Sequence, residues 1–418
     1  MSIWKPGKQK FAEHLLENIK TTSSINDKGK LQYDGGFEIS PFDLLSECIK
    51  INCSTKSSPD VNLEKLVFDV IENLIKNNRI IEESIFIKEF NRVIKKKPEY
   101  VKTSPYQVVI EALIQTPSNQ KLSINDCDIQ VITKKFSKKI FLKDFSDFQA
   151  KSIIVVNCNS YSSDRAQVKA MDSIELIRAV WHLSDQSRWK IETQESLIKP
   201  HNPIALGNYC YILQQDADVI WKKQRVNFIK NPESQSMLKI EASTIKKGSK
   251  ILNLLTLIRE SNLEYYNLLT NSMIQYIKAL DSMDLTNSLP LIWGAIETII
   301  KKNNENKYDV FINRCAFLYS DHFYVKNLLE LIKEHRNNFV HNGTENIRLT
   351  KLFLIELEKI YKSLFLFHIN HASNQRSFED AIELLSLPVE MTALKNKKKI
   401  IEQAIVFHSK TKAVKSGN

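Results

Sequence analysis

Apolar residues recur at three- and four-residue steps through most of the first hundred positions, and that period predicts helices over 9–20, 41–51, 62–78 and 83–97. Ser40 is placed to cap the second, with Pro41 in its first turn, and Asn62 precedes the third. From about Tyr106 the spacing changes. Short β-branched runs at 106–110, 129–132 and 153–156, bounded by Ser, Asn and Pro, predict paired strands. Ser162-Ser163-Asp164 then starts a helix through Ile174, Leu176, Ile177, Val180 and Trp181. A further strand is predicted at 209–213, and the polar stretch 231–236 reads as a connection.

Beyond 235–250 the period is helical throughout: 251–283, 289–302, 309–318, 323–340, 347–369 and two shorter pieces ending near His408. Long helices joined by short loops predict an antiparallel bundle. The expected fold class is therefore α+β. Residues 1–240 form a mixed α/β region, mostly helical over 1–98 and with strands and a helix over 99–240. Residues 241–418 form an all-α bundle with a basic tail. Lys395, Lys397, Lys398 and Lys399 make a Lys-rich end, followed by a polar tail that reads as frayed.

A chain of 418 residues is too long for one ordinary core, so two or three domains are expected. The formal charge of +11 favours polyanionic partners, nucleic acid first. Lysine pairs at 134–135 and 138–139, interleaved with Phe136 and Phe141, add a surface suited to single strands, although such runs are usually solvated faces. The six cysteines lack C-x-x-C spacing, which points to reduced thiols in a cytoplasmic protein. No apolar run approaches a bilayer span, so no membrane partner is expected. Nine glycines and no glycine-rich phosphate loop argue against ATP or dinucleotide chemistry, and no cofactor is expected. His368 and His371, at i and i+3, could share a metal, but no third ligand accompanies them and a packed helix is the simpler expectation.

The most informative stretch lies between Val325 and Gly343. Val325, Leu328, Leu329 and Ile332 form an apolar stripe that continues through position 336 to Phe339 and Val340, with Asn342-Gly343 as a helix stop. Arg336 thus occupies a slot that calls for an apolar side chain. A charge there must be paired, lie in an interface, or line a site. The plain alternative is that Arg336 and His341 complement the dipole at a helix end.

Arg336-Asn337 followed by His341 resembles the Arg-polar-x-x-x-His signature of the HEPN superfamily of helical ribonucleases. Leu291-Ile292-Trp293-Gly294-Ala295-Ile296-Glu297 is similar to a stretch of its ApeA-like branch, as is His341-Asn342-Gly343. The resemblance covers roughly 250–370. It implies metal-independent RNA cleavage, a homodimer with a composite cleft formed through the C-terminal bundle, and a role in bacterial defence against phage. The N-terminal region would then receive a phage-derived or protein trigger.

The side chains suit that chemistry. Attack by a 2′-hydroxyl needs a group that moves protons near neutrality, and histidine's ordinary pKa of about 6.5 fits His341 as general base or acid. The pentavalent phosphate gathers negative charge, which the Arg336 guanidinium can hold through a two-point fork. Asn337 could orient the phosphate or the imidazole, and Glu297 could fix Arg336. An i, i+5 spacing turns positions 336 and 341 well apart on one helix, so a single copy makes an incomplete site. Competing expectations are a non-catalytic RNA-binding or scaffold protein of the same fold, and a regulatory partner of another defence enzyme.

Overall fold

The computed structural model describes residues 3–33, 40–50, 63–79, 81–96, 103–132, 152–185, 204–214, 221–225, 238–282, 284–302, 308–342 and 347–415. Asn62, the 231–236 connection, Gly343 and the interleaved lysines and aromatics at 134–141 lie outside them. The chain divides into two compact units. One comprises residues 1–108, 157–168 and 211–222, and the other 109–156, 169–210 and 223–418.

In the first unit the amphipathic periods become α1 (Gln9–Thr22), α2 (Pro41–Cys48), α3 (Leu63–Lys76) and α4 (Glu83–Lys96). Ser40 caps α2 by accepting the Phe42 N–H at 3.3 Å, with Pro41 at the first helical position, where its missing N–H costs nothing. The inward faces, among them Leu16, Ile19, Val67, Val70, Phe86 and Phe90, close one core with Trp4. Trp4 stacks on Phe86 at 5.9 Å and donates to Glu83 at 2.6 Å. A hairpin that the apolar pattern does not announce, β1 (Ser23–Ile25) with β2 (Leu31–Tyr33), turns at Gly29, whose φ of 71° suits glycine.

The predicted runs at 106–110, 129–132, 153–156 and 209–213 all become strands. They are β3 (Ser104–Ala112), β6 (Cys127–Ile132), β7 (Ser152–Ser160) and β8 (Leu206–Gln214); β4 (Ile114–Gln115), β5 (Gln120–Ile124), β9 (Trp221–Arg225) and β10 (Leu238–Lys239) join them. Six strands form one sheet in the order β5-β6-β7-β3-β8-β9, and β10 pairs with β4 in parallel. Helix α5 (Ser163–Ser184) follows β7, with Ser162 Oγ accepting the Arg165 N–H at 3.2 Å. Strands β5 and β6 meet through Asn125 and Asp126, both at positive φ, the backbone required by a two-residue turn.

Beyond β10 the described residues are helical: α6 (Ala242–Ser261), α7 (Leu263–Asp281), α8 (Leu285–Ile300), α9 (Tyr308–Ala316), α10 (His322–Asn342), α11 (Ile347–Ser373), α12 (Phe378–Leu385) and α13 (Met391–Lys415). The architecture is mixed α/β and mostly helical. The single helix expected over 251–283 is instead two. Asn262 leaves the helical region and its side chain caps α7 by accepting the Tyr265 N–H at 2.9 Å. The last of the pieces expected to end near His408 runs on instead as α13 to Lys415.

The texture changes from strands to helices at Ala242, as expected, yet the second unit also holds much of the sheet and of α5. Packing explains why. Gly248 of α6 approaches α5 so closely that an added Cβ would lie 3.1 Å from Val180 and 3.2 Å from Trp181. The buried Arg178 of α5 forks onto Asp281 at the end of α7. Arg259 of α6 forks onto Asp126 in the β5–β6 turn, and that ion pair holds the Asp126 carboxyl below its usual range.

Candidate functional site

Three helices bring the site together. On α8, Trp293, Ile296 and Ile300 share the buried face, which leaves Glu297 at its margin, with Lys301 four residues on, directly after the helix. Trp293 is stacked on Phe311 of α9, with centroids 4.4 Å apart and planes 15° apart. Its indole N–H donates to Glu297 Oε1 at 3.0 Å, and Lys301 Nζ donates to the same oxygen at 2.8 Å.

On α10, Val325, Leu329 and Ile332 are buried, and Arg336 continues their stripe as the sequence pattern requires. It is half-buried. Its guanidinium carbon lies 5.4 Å from the centroid of the Trp293 ring, and Nη2 donates to Tyr308 Oη at 3.3 Å. Among the described residues no carboxylate pairs with it. Tyr308, the first residue of α9, gathers two further cations: Lys333 Nζ at 5.2 Å and Lys301 Nζ at 5.8 Å from its ring centroid. Glu330 balances Lys333 at 3.3 Å. Arg336, Lys301 and Lys333 thus converge on one aromatic pair, an arrangement stabilised by ring quadrupoles and suited to holding an anion.

The sequence-derived residues fare differently. Arg336 and Glu297 belong to one cluster, but Glu297 orients Trp293 and Lys301 and does not itself bind Arg336. Asn337 is half-buried at the next position of α10. Position 341 lies on the last turn of α10, and its side chain is outside the described residues; helical phase sets it about 140° from Arg336. Neighbouring His335 points elsewhere, bonded to Thr350 at 2.8 Å and edge-on to Phe353. Tyr308, Lys301 and Lys333 were not picked out by sequence reasoning. The available signal was spacing: Lys301 is four residues after Glu297, and Lys333 three before Arg336, so each shares a helix face with a chosen residue.

His368 and His371 lie in the core of α11. His368 Nδ1 meets the Tyr265 hydroxyl at 2.6 Å, and no third metal ligand joins them among the described residues. Burial, aided by the neighbouring His371, pushes the His368 pKa down to about 3. The unfolded chain takes up this proton below the ordinary value of about 6.5, whereas the folded chain resists until about 3. Stability is therefore complete above the unfolded pKa and declines as pH falls through that window, by about 1.4 kcal/mol per unit. Denaturant titrations at about pH 7 and about pH 5 should differ by roughly 2 kcal/mol from this group. In His368→Gln that difference should shrink; an unchanged difference would refute the assignment.

Comparison of the chain with protein-family models, characterised proteins and solved structures finds no match.

Proposed function

We propose that the helical region beyond residue 241 is a HEPN-like, metal-independent endoribonuclease that acts as a homodimer in bacterial defence against phage, with residues 1–240 receiving the trigger. The observation that carries this reading is the setting of Arg336. Its guanidinium is held by an aromatic face and a phenol, with no described carboxylate to neutralise it and two lysines beside it. Such a group is preorganised for a phosphate, because among the described residues no carboxylate takes up its charge. Glu297 fixes the tryptophan that supports it.

In the proposed step the 2′-hydroxyl of one nucleotide loses its proton to His341 and attacks the adjacent phosphorus. The P–O5′ bond breaks, the leaving oxygen gains a proton, and a 2′,3′-cyclic phosphate remains. Arg336 holds the non-bridging oxygens, and Asn337 orients phosphate or imidazole. Because positions 336 and 341 diverge around α10, the imidazole of one copy is taken to serve the guanidinium of the other. A bare stripe on α10 favours that pairing: Phe323, Tyr324 and Leu331 are exposed, and position 341 is five full turns from Phe323, hence in line with it.

The test is incubation of the purified chain with total RNA in the presence of a chelator, followed by end-group analysis. Cleavage that persists in chelator, leaves 2′,3′-cyclic phosphates and is absent from His341→Ala is expected. Intact RNA, or His341→Ala cutting as well as wild type, would sink the reading.

A further inference from the structure

We propose that Tyr308 is a further catalytic residue, whose hydroxyl hydrogen-bonds a non-bridging oxygen of the scissile phosphate beside the Arg336 fork. This deepens the ribonuclease reading above and rests on it. Helix α9 places the side chain. Tyr308 and Phe311 stand three residues apart and share a face of α9; Phe311 stacks on the Trp293 indole at 4.4 Å, and the Arg336 guanidinium lies 5.4 Å from that same ring. The helix thus reaches the guanidinium by two routes, through the indole and directly through the Tyr308 oxygen at 3.3 Å.

Hydrogen-bond accounting singles out the hydroxyl. A phenol oxygen can accept, and it also carries one proton to donate. Here Arg336 Nη2 donates to Oη, and the phenol's own proton finds no acceptor among the described residues. The ring by itself would serve Lys301 and Lys333, whose ammoniums lie 5.8 and 5.2 Å from its centroid, and a phenylalanine would do as much. Both lysines are already balanced, by Glu297 and Glu330. What the tyrosine adds is an O–H beside the cation of this group that has no carboxylate partner among the described residues. Accepting from a guanidinium polarises that O–H and makes it a stronger donor. Arg336 keeps its other N–H groups for the phosphate. With Oη and Nη2 only 3.3 Å apart, neighbouring oxygens of one phosphate can take a donor from each side chain. The hydroxyl keeps its proton throughout, so the bond changes of the cleavage step are unaltered. Its hydrogen bond strengthens as the oxygens gain charge, which makes its contribution one to the rate.

The experiment is single-turnover cleavage of one short RNA, in chelator, by wild type, Tyr308→Phe, Arg336→Ala and the double variant. Tyr308→Phe keeps the ring and should melt as wild type does, while cleavage slows about tenfold to a hundredfold. The double variant should be slower again than Arg336→Ala. Sulfur is a poor acceptor, and placing it at one or the other non-bridging oxygen gives two stereoisomers of the substrate. Wild type should cut one of them more slowly than the oxygen substrate, and that penalty should shrink in Tyr308→Phe. The penalty is a ratio taken within each variant, so it does not depend on how much of the variant is folded. Tyr308→Phe cutting at the wild-type rate overturns the proposal. So does a double variant no slower than Arg336→Ala, or a sulfur penalty that Tyr308→Phe leaves unchanged in both stereoisomers; either would make Tyr308 a positioning residue that acts through the guanidinium. Those outcomes defeat this inference alone, whereas RNA left whole by wild type defeats it together with the ribonuclease reading.

Discussion

Arg336→Ala is expected to lower RNA cleavage by about two to three orders of magnitude while leaving the helices folded. Removing one preorganised donor to a developing oxyanion typically has that effect, and here the donor is also the cation that meets both Trp293 and Tyr308. The loss should appear in kcat, because the charge it meets is greatest in the pentavalent species. The structural cost is small by comparison. A half-buried guanidinium over an indole, with one neutral hydrogen bond to Tyr308, contributes about 1 kcal/mol to stability. Arg336→Lys keeps the charge but loses the planar fork and its fit to the Trp293 face, so it should recover only a minor part of the rate. Single-turnover cleavage set beside thermal melts checks the pair. Wild-type rates in Arg336→Ala would remove the electrostatic basis of the proposed mechanism, and a collapse of the melting transition would make Arg336 a structural residue.

Much of the architecture was legible because burial and period coincide. Val108, Val109 and Ile110 of β3, and Ile153 to Val156 of β7, are β-branched and buried, so the short apolar runs could only be interior strands. The break at Asn262 was hidden for the opposite reason. Apolar spacing continues through it from Ile258 to Tyr265, and only the capping capacity of one asparagine side chain divides the helix. Strand β5 escaped because it alternates exposed and half-buried residues, among them Gln120 and Lys121, and its pairing rests on β6 and a turn of two residues at positive φ. Only the last turns of α13, beyond His408, were hidden, because the mostly polar run there reads as a tail.

At the site, sequence located Arg336 correctly on the buried stripe and Glu297 on the margin of its helix. What it could not supply was which partner each would take. Glu297 finds an indole N–H one turn back on its own helix, a nearer partner than any guanidinium on α10. Lys301, Lys333 and Tyr308 are each unremarkable surface choices in isolation. Their meaning arises from three helices converging on one phenol, a tertiary fact with no local signature.

The second unit should be most sensitive to loss of Arg178. Its side chain is buried, donates to Asp281 at 2.6 and 2.8 Å, to Glu175 at 2.5 Å and to the Ile204 carbonyl at 2.8 Å, and so ties α5 to the end of α7 and to the residues before β8. Burial works against its charge, but the two carboxylates hold its pKa above the ordinary value. Burial is also the foremost influence on Glu175, pushing its pKa up against the pull of Arg178. A methionine at 178 would fill similar volume yet leave Glu175 and Asp281 beside one another without the guanidinium between them. Breaking a buried pair in this way costs about 3–5 kcal/mol, because the remaining charge must either stay uncompensated or take up a proton. Arg178→Met is therefore expected to lower the unfolding free energy of the second unit by that amount, read from denaturant titration. Adding Glu175→Gln and Asp281→Asn should restore part of it, since the triple variant no longer buries an unpaired charge. A single variant as stable as wild type would show that the cluster contributes no net stability. A triple variant no better than the single one would assign the loss to packing and the Ile204 carbonyl instead.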